Sequence, residues 1–298
     1  MRYLLALSVC LGLSTSPFVQ AQPALTALTS FDGEDREPAP SPSGEWLAYL
    51  SDRKGDRSNE LWLMNLITGA ERRLFEQALL LGPPVWTKDG KHIILSQKMA
   101  DAAARIHSID VETGQLSGPL VPSFAQTGDQ LFPDISPDGR TLALTIRTDS
   151  GGLDVYLASM EDGSVTRLTN HPQNDLWPRF NGSGTGIYFF SRRATEGQSD
   201  DIFYMTLSTR TVTRLTDAKD HDFVPSPAPN GQFIAFAARR SGSPELYVMG
   251  RDGQNQRHIE TPGMRISHPV WGSAGKKIYF TGRPLAGGPA DIYVVSFD

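Results

Sequence analysis

The sequence is nearly empty of cysteine. Cys10 is the only one in 298 residues and it lies in an apolar N-terminal stretch, so the rest of the chain can form no disulfide and offers no thiolate for catalysis or zinc. Long apolar runs are also scarce: after Tyr3–Leu13 nothing reaches the length of a membrane span. Positive charge is short, with 28 Lys and Arg against 33 Asp and Glu and a formal charge of −5. Such a chain lacks the basic stripe of a nucleic-acid binder. The Gly-x-Ser-x-Gly nucleophile turn is missing too; Gly182-Ser183-Gly184-Thr185-Gly186 has glycine where the serine would stand.

The first residues explain the apolar stretch. Met1-Arg2, the run Tyr3–Leu13 and Val19-Gln20-Ala21 before Gln22 form the charged, apolar and small-residue parts of a secretory signal peptide cut after Ala21. The expectation is therefore removal of residues 1–21, export to the periplasm with secretion as the alternative, and a single domain over 22–298. Loss of Arg2 takes the formal charge from −5 to −6.

Turn residues are abundant, with 28 Gly and 21 Pro. Pro133–Leu144 reads P-D-I-S-P-D-G-R-T-L-A-L, a Ser-Pro-Asp-Gly turn between apolar runs. The spacing of its proline and glycine recurs at Pro38/Gly44, Pro84/Gly90, Pro178/Gly184, Pro225/Gly231 and Pro269/Gly275, so that successive glycines are 46, 49, 45, 47 and 44 residues apart. A constant period of this size marks a repeat architecture. Each unit continues with β-rich runs, such as Thr141–Ile146, Asp154–Leu157 and Val165–Thr169. Four antiparallel strands per unit predict an all-β, six-bladed β-propeller. The sixth unit ends after its third strand, and Thr26-Ala27-Leu28-Thr29 matches Thr166-Arg167-Leu168-Thr169 and Thr213-Arg214-Leu215-Thr216. An N-terminal strand should thus complete the last blade and close the ring.

Six copies of Pro-x-x-Ser-Pro-Asp-Gly or its degraded forms make the chain resemble the TolB-like propeller family over roughly residues 24–298. The clearest are Pro133–Arg147 with Asp154-Val155-Tyr156, and Pro225–Arg239 with Glu245-Leu246-Tyr247. The chain looks like a propeller alone, without the α/β domain that precedes it in TolB, so the Pal and Tol-system partners of TolB do not carry over automatically. Propellers of this type also cover prolyl-oligopeptidase-like active sites, whose hydrolase domain needs the nucleophile turn missing here.

Within this frame Asp138 is a turn residue. An acid opens the third strand in five units (Glu60, Asp154, Asp201, Glu245, Asp291), and a base ends the second in all six (Arg53, Lys98, Arg147, Arg193, Arg240, Arg283). Their proximity predicts one ion pair fixing each hairpin. Blade 2 sets Arg105 against Lys98, which suggests a looser blade or positive charges facing a partner. Trp86, Phe180 and Trp271 should pack between blades.

Function is expected in the variable loops leading into the blades, which contain Asp35, His171, Asp175, Trp177, His221, Asp222 and His268. Asp35, Asp175 and Asp222 share one position, three residues before the blade proline, and serve equally as turn acceptors or as ligand contacts. The histidines sit at unequal offsets, so no metal set is required, although a divalent cation in the channel is not forbidden. The reading is a monomeric, non-catalytic periplasmic protein without a cofactor or any catalytic residue, presenting loops and channel mouth to an envelope protein or peptide. The alternative is a carbohydrate-active enzyme, lyase or hydrolase, or a lectin, using the acid- and histidine-rich mouth.

Overall fold

The alternating apolar runs become strands. The computed structural model describes residues 25–53, 59–76, 79–99, 102–121, 128–148, 151–195 and 198–297, and within them 24 strands form six four-stranded antiparallel sheets. The signal peptide expected over 1–21 lies outside these residues. No helix long and apolar enough to cross a membrane occurs among the described residues.

The first strands of blades 1 to 6 are Asp35–Pro40, Leu79–Trp86, Gln130–Ile135, Asp175–Phe180, Asp222–Pro227 and Met264–Trp271. Each packs against the first strands on either side, and the sixth meets the first. The ring is therefore closed around a central axis. Leu25–Ala27 pairs antiparallel with Asp291–Ser296, placing Thr26 opposite Val294, as the Thr-Ala-Leu-Thr match predicts. The Ser-Pro-Asp-Gly turn also behaves as expected. Asp138 accepts from the Ser136 hydroxyl at 2.6 Å and the Arg140 amide at 3.0 Å, while Gly139 takes φ 77°, a conformation open to glycine.

The threonine ending each Leu-Thr pair is a staple. Thr29 Oγ1 accepts the Ile292 amide at 2.9 Å and donates to Asp291 at 3.1 Å. Thr169 does the same for Val155 and Asp154 at 3.0 and 3.2 Å, and Thr216 accepts from Ile202 at 2.9 Å. In blade 2 the equivalent Ile106 amide goes instead to Gln130 Oε1 at 3.1 Å, reaching over from blade 3.

The repeated ion pair exists, but it is two pairs with other partners than the hairpin arrangement anticipates. Third-strand acids are taken by fourth-strand bases: Glu60 by Arg73 at 3.0 Å, Asp154 by Arg167 at 2.6 Å and Asp201 by Arg214 at 2.9 Å. The second-strand arginines turn the other way, to the acids opening the first strand. Arg193 lies 2.5 Å from Asp175 and Arg240 2.7 Å from Asp222, while Arg53 stands 3.5 Å from Asp35 and hydrogen-bonds Glu71 of the fourth strand at 2.7 Å. Each arginine stands two residues past the cross-strand partner of its aspartate, on the same face of the sheet. In blade 2 Arg105 donates to the carbonyls of Ala104 and Gly128 at 2.9 and 3.1 Å, so its charge is turned inward.

Apolar side chains fill the spaces between blades. Leu50, Leu61 and Leu63 of blade 1 pack with Leu80, Ile93 and Leu95 of blade 2. Trp86 Nε1 donates back to Ala39 O at 2.8 Å and Trp271 Nε1 to Ser226 O at 3.1 Å, each crossing to the preceding blade. Blade 4 has Phe180 there, and its backbone amide donates to Asp134 Oδ2 at 2.7 Å. The interblade role expected of these aromatics is what the structure shows.

Two outcomes test this frame. Ala27 stands where blades 3 and 4 have Arg167 and Arg214, and burial together with Asp35 and Glu34 raises the pKa of Asp291 beside it. Ala27→Arg should therefore stabilise the ring by about 0.5–1 kcal/mol, read as a rise in urea midpoint. Arg193→Met, which strands a fully buried Asp175, should cost about 3–5 kcal/mol, and adding Asp175→Leu should recover most of it.

Candidate functional site

Every innermost strand carries a bulge at the blade proline. The proline ring keeps the preceding residue out of the right-handed helical region, and that residue here goes left-handed. Glu37, Phe132, Trp177, Val224 and His268 have φ between 51° and 61°, and in blade 2 Gly82 takes the left-handed turn at 79°. For a residue with a side chain this costs about 1–2 kcal/mol. Part of it is offset by a neighbouring blade: Glu37 N donates to Thr281 Oγ1 at 2.9 Å and Trp177 N to Thr145 Oγ1 at 3.2 Å.

The bulge aims these side chains at the axis, where they meet. Trp177 of blade 4 stacks on His268 of blade 6 at 5.1 Å between ring centroids and tilts against Phe132 of blade 3 at 4.2 Å. His268 Nε2 lies 3.9 Å from Glu37 Oε1 of blade 1. Gly82 leaves the room Phe132 needs, since a Cβ there would stand 2.7 Å from its ring. Phe132, Trp177, His268 and Glu37 thus bridge the axis and close the channel. On the side of the hairpin turns, Asp134 and Arg179, 3.3 Å apart, line a recess of 250 Å³ with Ser226 and Val270.

Burial dominates the electrostatics of this layer. Desolvation pushes the Glu37 carboxyl up to about 7 against the pull of Arg36, and pushes His268 down to about 4, helped by Arg179 and Arg36. Of the buried polar atoms without a hydrogen-bond partner among the described residues, Glu37 Oε2, His268 Nδ1, Trp177 Nε1 and Arg36 Nε lie in this layer. Such orphans are rare in native interiors and call for water or a ligand.

The sequence-selected residues divide sharply. Trp177 and His268 come together in the layer. Asp35, Asp175 and Asp222 are fully buried and held by the arginines of their own blades, with burial raising the pKa of Asp35 and Asp222. His171 Nδ1 accepts the Gln173 amide at 3.1 Å within its own loop. His221 lies 2.6 Å from Asp200, which also binds Arg192 at 2.9 Å. Among the described residues no three His, Cys, Asp or Glu side chains are grouped so as to hold a metal ion. Glu37, Phe132, Arg36, Asp134 and Arg179 were missed. Their signal was available: they flank the blade proline, in the most chemically varied column of an otherwise regular repeat.

The loops into the blades and those between second and third strands share one rim, as the bonds donated by Arg283 to Glu34 and by the Asp200 amide to His221 show. Four of the five large hydrophobic side chains exposed among the described residues, Phe31, Leu79, Met99 and Leu285, stand on this rim. They belong to blades 2 and 6 and to the loop joining the last blade to the first.

No protein-family profile matches the chain. An uncharacterised peptidase, YuxL of Bacillus subtilis, is 25% identical over 165 residues, which are 53% of this chain and 22% of that protein. Among solved structures, TolB from Acinetobacter baumannii superposes with a TM-score of 0.70 at 23% identity, covering 82% of this chain and 58% of that one. A gluconolactonase from Xanthomonas campestris gives 0.68 at 16% identity, covering 95% and 94%. What these structures share with the chain is the six-bladed fold, and the TolB-like resemblance of the repeats is borne out at that level.

The opposed titrations of Glu37 and His268 give a pH test. The folded state holds a proton on Glu37 that the unfolded chain releases between pH 4.5 and 7, so this group adds stability as pH falls through that window. His268 takes a proton only when unfolded between pH 6.5 and 4, so it removes stability as pH falls there. Glu37→Gln should therefore leave a protein that loses on the order of 2 kcal/mol relative to wild type from pH 7 to 4.5, and His268→Gln one that gains as much. Urea unfolding across this range reads both slopes.

Proposed function

We propose that the protein is a non-catalytic binding protein of the cell envelope that docks a protein or peptide on the loop rim, with the closed channel as its floor. The observation that carries this is the placement of Phe31, Leu79, Met99 and Leu285 on one rim. Exposed apolar side chains concentrated on one face mark contact surfaces more often than scattered ones do. The floor supports it: Trp177 Nε1 and Arg36 Nε are donors and Glu37 Oε2 an acceptor without partners, which suits the amides and carbonyls of an inserted main chain. The signal-peptide pattern supports a periplasmic setting for this binding, and the propeller fold shared with TolB is compatible with recognition by its loops.

A second reading, a carbohydrate-active enzyme, is favoured by one observation. Glu37, with its carboxyl raised to about 7, faces His268 at 3.9 Å, and a carboxyl kept protonated near neutrality is a fit general acid. The gluconolactonase shows that the fold accommodates enzymes.

Affinity capture from envelope extract decides between them, with the exported chain as bait and a Phe31→Ser/Leu285→Ser variant beside it. Docking predicts a partner whose recovery falls about tenfold or more in the variant, as loss of two apolar anchors implies. Equal recovery by both baits, or turnover of a lactone or oligosaccharide abolished by Glu37→Gln, would overturn it.

A further inference from the structure

At the hairpin-turn end of the ring, away from the docking rim, a pocket of 570 Å³ opens between blades 4 and 5. Its makers are residues at which these blades abandon the repeat. Gly186 opens the second strand of blade 4, where the other blades have Trp46, His92, Thr141, Phe233 and Lys277. Here only glycine fits, because a Cβ would stand 2.0 Å from Tyr204 Oη. Tyr204 is itself an exception, in a position that is Leu63, Ser108, Leu157, Val248 and Val294 elsewhere. Its hydroxyl accepts from Asn181 Nδ2 at 3.0 Å, and its ring packs on Tyr188 at 4.9 Å.

The opposite wall breaks the pattern as well. Arg251 donates its amide to Gln232 O in a cross-turn bond that Leu66, Val111, Met160, Leu207 and Phe297 make in the other blades. Five apolar residues and one arginine occupy this site. Arg251 is exposed and forms no ion pair among the described residues, and it lies close enough to Tyr188 to oppose the burial that raises that phenol.

The pocket therefore combines donors with aromatic rings, and its one acid, Asp252, is engaged in its own turn, where Oδ1 accepts the Gln254 amide at 3.1 Å. An unpaired guanidinium presents a planar fork suited to a carboxylate. Tyr204 Oη already accepts from Asn181, which leaves its own hydrogen to give away. Ser183 and Asn230 on the rim can meet hydroxyls of a ligand, and the volume is that of a small-molecule site, about 300–1,000 Å³. Nothing in the fold requires this set, since five blades close the Arg251 position with apolar side chains. We propose that this pocket binds an acidic saccharide, a sugar ring bearing a carboxylate, through Arg251 and the Tyr204 hydroxyl.

Titration of the ¹⁵N-labelled full chain with glucuronate, followed by its amide spectrum, tests this. Glucose removes the carboxylate, while N-acetylglycine and inorganic phosphate remove the sugar ring. Saturable shifts at Gly186, Gly231 and Arg251 are expected with glucuronate, and binding about fivefold or more weaker with each of the other three. Arg251→Leu and Tyr204→Leu install residues that the repeat itself uses at these places, so the fold should persist. Affinity for glucuronate should fall about tenfold in the first, as loss of a charged hydrogen bond implies, and less in the second. Absence of saturable shifts, an unchanged affinity in Arg251→Leu, or equal binding of phosphate or N-acetylglycine would each overturn the proposal. None of these outcomes bears on docking at the other rim.

Discussion

The left-handed residue before the blade proline is the constraint on which the interior of this ring depends. Without it the first strand would keep a regular pleat, and alternate residues would turn to the neighbouring blade. The bulge inserts one extra residue and re-aims the side chain, so that Glu37, Phe132, Trp177 and His268 reach the axis. Each carries backbone strain that no single contact removes, and it persists because both flanking blades hold the strand in place. Closure of the channel, burial of a carboxyl and an imidazole, and the displaced titrations of both follow from that one backbone choice.

Acid and base are distributed by a different rule. In blades 1 and 4 the chain places carboxylates at the openings of both the first and third strands, and arginines from the second and fourth strands divide them, while other blades keep one half of this arrangement. The fourth-strand arginine takes the third-strand acid, which leaves the second-strand arginine for the first. The threonine staple ties the amide next to the third-strand acid to the following loop. Burial costs charged groups a great deal unless they are paired and hydrogen-bonded, and the network pairs these groups at the rim, although both oxygens of Asp35 and one each of Asp175 and Asp201 accept no hydrogen bond among the described residues. Acids at regular positions in a propeller are therefore poor indicators of a site.

How much was legible in the sequence follows from which contacts are local. Strand positions, the turn role of Asp138 and the closing strand at Leu25–Ala27 depend on period and on matches between copies, and these a single chain displays. The direction of the ion pairs was not legible, because Arg193 stands between acids on both neighbouring strands and only the presence of Arg214 decides. Nor was the meeting of Glu37 with His268, which needs the ring to bring blade 1 against blade 6. Gln130 shows the same limit from another side: it looks like a lost aspartate, yet it replaces a missing threonine in the preceding blade.

A repeat protein supplies its own control, because each position is sampled six times in one fold. Where all copies agree, as at the turn glycines, the residue answers to backbone geometry. Where one copy departs and its neighbours in space depart with it, as at Gly186 and Tyr204, the change is coordinated and backbone geometry does not ask for it. The axis column is the intermediate case, uniform in its left-handed backbone and varied in side chain, with the scaffold fixing where a group points and leaving its chemistry free. Because that column bridges the axis, the recess beside Asp134 and Arg179 is separated from the loop rim by packed side chains. A ligand at one end meets the other only through movement of Trp177 and its neighbours, so the two faces are free to carry unrelated recognition on one rigid ring.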